Sequence, residues 1–497
     1  MESQNKKILI VGAGVSGLAA GIYLERSGFD VTIYEQHVIA GGLSTSWKRK
    51  GYLFEGGMHW LTGSSPELPM NRLWLETGAL QENNPIYTKD PVYTLIDGSK
   101  TLSLYRDVDK LEKEFIDYAP EDTKEIKRMC RHIRIFRKFH MPVYDVPFLK
   151  AKKHVFPTFR EFLSMVPALF VLPSLTKLSY VNYVNRFQNE NLRHLLMTVI
   201  GDRYNALSFV YTMGDFASGD CGYPEGGSLR LTQNMADTFT NLGGIIHYHS
   251  PVEKIAIENG TARGVYVDGK LIKADNVLVT ADTRKIIDSL FEKPLEEKWV
   301  QKMRKGIVSE QTMFIAYGIK ADLSAYPRGF IIPLEKPFEA AGLKFGELRI
   351  NNYAQYPEHA PKGCTALTCL LLGPSYNWWN ARKKDGTYKT EKEELARRLI
   401  EEIAKAIPEV NGNVEVSDVA TPCTYERYCG TFEGSWMSVF EPGGAMLTFP
   451  QKSKTVKGLY FAGQRSSMPG GLPIAVYTGR KAAQLICRAM HNKFIGS

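Results

Sequence analysis

The chain has 497 residues, 44% of them hydrophobic and 23% charged. This composition excludes disordered, collagen-like and low-complexity proteins, and a mean hydropathy of −0.23 argues against a polytopic membrane protein. The length exceeds that of one ordinary hydrophobic core, so we expect two or three intertwined domains.

The formal net charge is +9, and the lysines and arginines are scattered along the chain. Scattered basic residues are typical of a solvated surface, whereas a nucleic-acid-binding protein concentrates its charge on one face. We therefore expect no nucleic-acid partner, while attraction to an anionic membrane surface stays open.

The seven cysteines form no C-x-x-C pair, and no histidine lies at zinc-finger spacing from them. An odd, scattered set of cysteines is typical of reduced thiols. We expect a cytoplasmic protein, associated peripherally with a membrane if at all, with no metal site and no dithiol redox pair.

The amino-terminal residues predict a strand, a glycine turn, a helix and a second strand. The apolar run at residues 8–11 leads into Gly12-Ala13-Gly14-Val15-Ser16-Gly17. Helical spacing follows over residues 18–24, and an apolar strand over residues 31–34 ends before Glu35. This complete context makes the G-x-G-x-x-G motif a prediction of a dinucleotide site.

The chemistry of dinucleotide binding explains these residue types. Gly12 permits the tight turn, Gly14 lets a pyrophosphate approach the backbone, and Gly17 lets the helix pack on the sheet. The first turn of the helix, which contains Ser16, presents free N–H groups to phosphates. Glu35 can accept hydrogen bonds from ribose hydroxyls, which disfavours the 2′-phosphate of NADP and leaves FAD and NAD.

A second glycine pair, Gly41 and Gly42, supplies another close approach of the backbone. Residues 40–60 resemble the FAD-dependent phytoene desaturase, carotenoid isomerase and retinol saturase group, within the amine-oxidase-like flavoproteins. In that group a glycine pair follows the first strand–helix–strand unit, and a G-[YF]-x-F-[DE]-x-G segment, here residues 51–57, approaches the flavin ring. Leu43 stands where many relatives have arginine, which removes a cationic contact to the flavin.

The segment Gly-Met-His-Trp-Leu-Thr-Gly at residues 57–63, which begins with Gly57 and Met58, is most similar to the retinol saturase pattern. The resemblance extends along most of the chain, and it implies that the backbone at Val252 pairs with adenine. It also implies that residues 463–464 and the start of a helix over 474–487, after a glycine-rich loop at 469–473, lie at the flavin. The residues implied at the flavin are Gly57, Met58, Gly463, Gln464, Ile474 and Ala475.

The resemblance implies an α/β fold with a discontinuous Rossmann-like FAD-binding domain and an interleaved α+β substrate-binding domain. The first domain takes residues 1–70, 220–290 and 455–497, and the second takes 71–219 and 291–454. FAD is expected to bind non-covalently. Because no second G-x-G-x-x-G motif occurs, we expect no NAD(P)H domain, and the electron partner, a quinone, oxygen or a diffusible donor, stays open.

The middle of the chain lacks dinucleotide motifs and is expected to bind the substrate. Residues 312–319 and 365–372 predict strands of a sheet beneath helices. Residues 156–184 are rich in apolar side chains, but Pro157, Pro167 and Pro173 interrupt them and charged residues make them too polar to span a bilayer. A buried lid or core helix and an amphipathic segment at a membrane surface both stay open.

His59 is the candidate catalytic residue, because it follows the glycines expected to face the flavin. It either donates a proton to a substrate carbanion, orients a polyene, or packs under the ring without a chemical role. Arg465 is expected to bind a polar end of the substrate or to pair at the surface. Other residues considered are His247 and His249, expected to alternate on a strand, and Tyr425, Trp436 and Tyr477, pocket walls by resemblance.

The resemblance implies an FAD-dependent oxidoreductase that acts on carbon–carbon bonds of a long hydrophobic polyene or lipid. Desaturation, saturation and cis–trans isomerisation all stay open, and the histidine-containing segment favours the last two. Three rival functions remain: a flavin-dependent amine oxidase, a flavoprotein without catalytic activity, and an NAD-dependent dehydrogenase.

Overall fold

The computed structural model describes residues 6–88, 90–151, 159–440, 448–467 and 470–497, without the side chains of residues 160–162 and 440. Within these residues the chain forms helices and strands throughout its length, so the predicted mixed α/β fold is confirmed. The strands are β1 (Lys7–Val11), β2 (Asp30–Tyr34), β3 (Ser46–Arg49), β4 (Tyr52–Glu55), β5 (Ile86–Tyr87), β6 (Tyr93–Asp97), β7 (Lys100–Leu104), β8 (Tyr223–Pro224), β9 (Ile245–His247), β10 (Lys254–Glu258), β11 (Thr261–Val267), β12 (Lys270–Lys273), β13 (Asn276–Val279), β14 (Ile307–Glu310), β15 (Thr312–Ile319), β16 (Gly329–Ala340), β17 (Leu343–Asn352), β18 (Thr365–Leu372), β19 (Val414–Ala420), β20 (Met437–Phe440) and β21 (Leu459–Phe461). The helices are α1 (Val15–Arg26), α2 (Asn71–Glu76), α3 (Val108–Tyr118), α4 (Thr123–Phe136), α5 (Phe159–Lys177), α6 (Tyr180–Val184), α7 (Glu190–Met197), α8 (Ala206–Ala217), α9 (Gly227–Asn241), α10 (Thr283–Ser289), α11 (Lys298–Gly306), α12 (Tyr376–Asp385), α13 (Tyr388–Ala406), α14 (Pro422–Cys429) and α15 (Leu472–Ala489).

A five-stranded parallel sheet takes its strands from three separated parts of the chain, in the order β21-β13-β1-β2-β9. Strand β1 lies in the centre, where Leu9 pairs with Val277 of β13 and with Thr32 of β2. Ile8, Leu9 and Ile10 are fully buried. A central parallel strand is covered on both faces, which explains the unbroken apolar run at residues 8–11.

The two faces of the parallel sheet carry different cores. Ile8 and Ile10 pack with side chains of α1, α9 and α15 on one face. Leu9 packs on the other face with Ile255 of β10 and Trp299 of α11. Helix α11 belongs to the stretch predicted to bind substrate, and the predicted domain boundaries stay a prediction.

A second sheet has seven strands in the order β19-β15-β18-β17-β16-β6-β7. Helix α13 covers one face, where its Leu399 packs with Ile315 of β15. Leu348 and Ile350 of β17 join the same core. Because side chains alternate along a strand, Arg349 between them points to the opposite face of the sheet.

Helix α5 contains Pro167 and Pro173, so the apolar run is helical across these two prolines. Ala168 and Leu175 are buried in a core that α5 shares with α3, α4 and α8, and this packing offsets the cost of proline inside a helix. Residues 156–158 of the predicted segment lie outside the described residues. No helix in the described part of the chain is both long and apolar enough to cross a bilayer.

Most of the elements predicted around the motifs are present with shifted ends. Strands β15 and β18 coincide with the predicted strands, which confirms them. Helix α15 begins at Leu472, two residues before the predicted start. His247 ends β9, but His249 lies beyond the strand with a φ of +52°, so the prediction that both alternate on one strand is wrong. The chain turns there because His249 donates its N–H to the carbonyl oxygen of His37.

Candidate active site

The first glycine loop joins β1 to α1. Gly12 has a φ of +100°, and Gly14 is the N-cap of α1. A Cβ atom on Gly17 would lie 2.1 Å from the carbonyl oxygen of Gly12, so only glycine lets the helix start this close to the strand. Gly12, Gly14 and Ser16 line a large cavity, whereas Gly17 does not.

Glu35 follows β2 and holds this loop in place. Its Oε2 accepts a hydrogen bond from the N–H of Ala13 at 2.7 Å, and its Oε1 accepts one from the N–H of His37 at 2.8 Å. A carboxylate offers about four acceptor positions, so both oxygens can still accept hydrogen bonds from a ligand. The side chain is buried and lines the same cavity.

The second glycine pair lies directly against the first loop. Gly41 donates its N–H to the carbonyl oxygen of Ala13 at 2.9 Å and forms an isolated β-bridge with Gly14. The hydroxyls of Ser16 and Ser44 are buried at the cavity and have no hydrogen-bond partner among the described residues. Buried polar atoms without partners are rare in native proteins, so these two hydroxyls indicate a ligand at this place.

Glu55 positions the segment that contains His59. Its Oε1 accepts hydrogen bonds from the N–H groups of Gly57 at 2.8 Å and Met58 at 3.1 Å. Its Oε2 accepts one from the N–H of Ser228 at 2.8 Å, which ties the segment to the start of α9. Glu55, the acidic residue of the segment at residues 51–57, therefore fixes the backbone of Gly57 and Met58 from behind the cavity wall.

His59 lines the cavity, with its ring centroid 6.0 Å from that of Trp436. Both ring nitrogens are buried and have no hydrogen-bond partner within the described residues. Burial lowers the pKa of His59 well below its usual value, and the charges of Arg349 and Arg328 lower it further. The imidazole is therefore neutral near pH 7 and offers one N–H donor and one acceptor nitrogen.

The last helix begins at the same cavity. Gly471 is the N-cap of α15, and its N–H donates to Oε1 of Gln464 at 3.1 Å. The first turn of α1 and the first turn of α15 both line the cavity, and two helix N-termini together favour anionic groups of a ligand. Pro469 of the predicted loop lies outside the described residues.

The cavity has a volume of about 1020 Å³ and connects these segments to the seven-stranded sheet. All the predicted cofactor contacts except Gly17 line the cavity. The contacts that line it are Gly12, Gly14, Ser16, Glu35, Gly41, Gly42, Gly57, Met58, Val252, Gly463, Gln464, Ile474 and Ala475. The wall beyond them is largely apolar and includes Val199, Ile200, Leu207, Leu370 and Leu372. Trp436 and Tyr477 also line the cavity, as does Leu43, whereas Tyr425 does not.

Sequence reasoning missed two polar residues of this apolar wall, Arg349 of β17 and Asp215 of α8. Burial raises the pKa of Asp215 well above its usual value, and the nearby Asp220 raises it further. Asp215 is the single acidic residue of α8, and a lone charge in an apolar helix is a signal that the sequence offered. Arg349 gave no comparable signal, because its position depends on which face of the sheet is covered.

Asp215, Asp220 and Cys221 come together at one buried place, with one ligand atom of each within 4.8 Å of the others. The carboxylate of Asp220 accepts hydrogen bonds from the N–H of Gly63 at 2.6 Å and from the hydroxyl of Ser64 at 3.0 Å. These bonds account for the burial of Asp220 without an ion. The expectation that the protein holds no metal stays a prediction.

Arg465 pairs inside the protein and not at the surface. Its Nε lies 2.7 Å from Oδ1 of Asp282, and its other nitrogens donate to the hydroxyls of Ser435 and Ser438. The side chain is 3% exposed. The sequence-based alternative of surface pairing is wrong, because the position of Asp282 next to Arg465 depends on the distant ends of β13 and β21. Arg465 lines the cavity, and its binding of a polar end of the substrate stays a prediction.

Two solved structures show what class of fold this is. An oxidoreductase from Methanosarcina mazei has a TM-score of 0.61 and 17% identity, with 95% of this chain and 98% of that chain covered. Cyclohexylamine oxidase from Brevibacterium oxydans has a TM-score of 0.61 and 16% identity, with 98% and 100% covered. At this identity the likeness concerns the fold alone.

The chain belongs to the family of flavin-containing amine oxidoreductases, whose family model matches residues 15–487. The protein is therefore an FAD-dependent oxidoreductase. It is similar to a lycopene-forming phytoene desaturase of Pseudescherichia vulneris, with 24% identity over 97% of this chain and 99% of the relative. It is also similar to a chloroplastic prolycopene isomerase of an Oncidium hybrid (24%; 96% and 82% covered) and to the all-trans-retinol 13,14-reductase of Danio rerio (24%; 92% and 82% covered).

Proposed function

We propose that the protein acts on a carbon–carbon bond of a long apolar lipid of the conjugated polyene class, by saturation or isomerisation in preference to desaturation. The observation that carries this proposal is the cavity, which runs from the two glycine loops to an apolar wall of the seven-stranded sheet. The printed activities of the curated relatives, on carotenoids and on retinol, support the same substrate class.

FAD fits the polar part of the cavity, where the glycine loops leave room for it and the hydroxyls of Ser16 and Ser44 lack partners. Glu35 would hold the ribose, and the backbone at Val252 would hold the adenine. The start of α15 would face the flavin ring. The phosphate contacts proposed are Gly12, Gly14, Ser16, Gly41 and Gly42, and the contacts proposed near the ring are Gly57, Met58, Gly463, Gln464, Ile474 and Ala475.

FAD, when bound, supplies the capacity to exchange a hydride with a substrate carbon. The residues of this chain position the substrate and handle the proton. His59 holds a proton on one ring nitrogen as a neutral imidazole, and burial raises the pKa of Asp215, which favours the protonated form of its carboxyl group. A protonated carboxyl group at Asp215 can give a proton to a substrate carbon, which suits saturation, whereas the neutral imidazole of His59 can accept a proton or orient the substrate.

The cavity disfavours the alternative function of an amine oxidase. An amine substrate is a cation near pH 7, but the guanidinium of Arg349 lines the apolar wall. Burial raises the pKa of Asp215, the acidic residue in that wall, and so disfavours the carboxylate that would balance a cationic substrate. A buried cation next to a cationic substrate costs free energy, and amine-dependent peroxide production by the purified protein would contradict this reasoning.

The test begins with the absorbance spectrum of the purified protein, where we expect flavin bands. Anaerobic incubation with a lipid extract should then change a polyene by two hydrogens in mass spectrometry, or change its chromatographic retention at constant mass if the reaction is isomerisation. The variant His59→Gln should keep the flavin spectrum and lose most of the turnover. Flavin that is bleached by dithionite in the absence of any change in a polyene would favour a flavoprotein without catalytic activity.

We propose further that helix α5 lies on a membrane surface from which the lipid is drawn. Phe170 is 83% exposed and Leu163 is 52% exposed. Leu172 of the same helix lines the cavity, so one helix joins the exposed apolar surface to the cavity wall. Lys177 at the end of the helix is exposed and suits an anionic membrane.

A further inference from the structure

Three arginine side chains are buried among the described residues, and two of them pair with an aspartate. Arg465 lies 2.7 Å from Asp282, and Arg480 lies 2.7 Å from Asp145. The third, Arg349, is 8% exposed, and no acidic side chain of the described residues forms an ion pair with it. A buried cation is stable only when its charge and its donors are satisfied, so the surroundings of Arg349 need an explanation.

Residues of the protein accept hydrogen bonds from two of the three guanidinium nitrogens of Arg349. Nη1 donates to the carbonyl oxygen of Thr198 at 3.0 Å, and Nη2 donates to the hydroxyl of Tyr93. The guanidinium carbon lies 4.9 Å from the centroid of the Tyr93 ring. These neutral contacts hold the side chain in place, but Nε has no hydrogen-bond partner in the described part of the chain and is buried.

The part of the cavity wall that carries Arg349 is apolar. Val199 and Ile200 line it on the helical side, and Leu370 and Leu372 line it on the neighbouring strand β18. His59 lies close enough for the charge of Arg349 to lower its pKa. A ligand that complements this wall is apolar over most of its length and carries an anionic oxygen at one place.

We propose that Arg349 binds the carboxylate of the substrate, and that the substrate is a long-chain unsaturated carboxylic acid. The proposal rests on the proposed function for the lipid class and adds the polar end group. The carboxylate neutralises the buried guanidinium and accepts a hydrogen bond from Nε, while the hydrocarbon chain lies along Leu370 and Leu372. Arg349 thereby selects acids over alcohols and hydrocarbons and fixes which carbons lie near His59.

The test compares two probes with the same polyene chain, all-trans-retinoic acid and all-trans-retinol. Binding to the flavin-loaded protein is followed by quenching of tryptophan fluorescence, because Trp60 and Trp436 line the cavity. A hydrogen-bonded charge pair predicts that the unaltered protein binds the acid about 10- to 100-fold more tightly than the alcohol. Arg349→Gln should bring the two dissociation constants within about 3-fold, and Arg349→Lys should keep part of the preference.

The exposed Arg263, changed to glutamine, is the matched control and should keep the full preference for the acid. Equal binding of both probes by the unaltered protein would overturn the proposal, as would a preference that persists in a folded Arg349→Gln variant. If Arg349→Gln does not fold, the unaltered protein and Arg349→Lys decide the matter. Acid preference without any change of a lipid in the turnover assay would refute the proposed reaction and leave the carboxylate site standing.

Discussion

A Cβ atom built on Gly479 of α15 would lie 2.4 Å from the carbonyl oxygen of Ser16 in α1. The first and the last helix of the chain are therefore in backbone contact at this place. Because Ser16 belongs to the first turn of α1, the same contact sets the distance between the first glycine loop and the start of α15. The cavity lies between the starts of these two helices, so the shape of the cavity depends on the packing at Gly479.

We expect Gly479→Val to separate the two helices. The added side chain has no space next to the backbone of α1, and overpacking at such a site costs roughly 3 kcal/mol of folding free energy. The purified variant should melt at a lower temperature and contain less flavin per chain. Ala489→Val adds similar volume at the exposed end of the same helix and should change neither measurement.

The buried pair of Arg465 and Asp282 joins the segments that follow β21 and β13. Changing Arg465 to methionine leaves the carboxylate of Asp282 buried without its cation, which costs about 3–5 kcal/mol in comparable cases. Chemical denaturation measures this loss directly. Arg263→Met removes a guanidinium that is 53% exposed, and a similar loss in that variant would show that burial of the pair is not the cause.

Stability should depend on pH through Glu310 of β14. Burial raises the pKa of Glu310 from 4.5 to about 7, although the charge of Arg203 acts in the opposite direction. Between these values the unfolded chain loses the proton while the folded chain keeps it, so the free energy of unfolding falls as pH rises. The fall amounts to about 3 kcal/mol and is complete above the folded-state pKa.

Glu310→Gln should remove this part of the pH dependence and make the protein more stable than the unaltered chain at about pH 8. Urea denaturation at several pH values between the two pKa values and above them measures the effect. Glu335→Gln, at an exposed position of β16, is the control. An unchanged slope of stability against pH in Glu310→Gln would contradict the assignment.

Binding to membranes should depend on the exposed apolar side chains of α5. The double change of Leu163 and Phe170 to aspartate should reduce co-sedimentation with anionic liposomes by about tenfold or more, because both apolar area and charge attraction are lost. Leu172 is not suited to this test, since it lines the cavity. Val38→Asp, at an apolar residue that is 49% exposed elsewhere in the chain, should leave sedimentation unchanged, and equal sedimentation of all three proteins would refute the membrane proposal.

The local sequence was sufficient to predict the strand, turn and helix around the first glycine loop. Gly12, Gly14 and Gly17 lie within six residues between an apolar strand and a helix, so turn, strand and helix follow from short-range sterics. The same holds for β15 and β18, whose apolar runs are buried on a covered sheet. In contrast, the sequence left both a buried helix and a membrane-surface helix open for α5, because the burial of Ala168 and Leu175 and the exposure of Phe170 depend on tertiary packing.

The sequence by itself determined the family, the flavin chemistry and the residues that form the polar part of the cavity, since these lie in short contiguous motifs. Only the tertiary structure decided that Arg465 is paired with Asp282, that burial raises the pKa of Asp215, and that Arg349 faces the cavity without an acidic partner among the described residues. Charge and ligand selectivity at these places depend on which distant segments share a buried volume. That information is a property of packing between sheets and helices, and no local pattern of residues carries it.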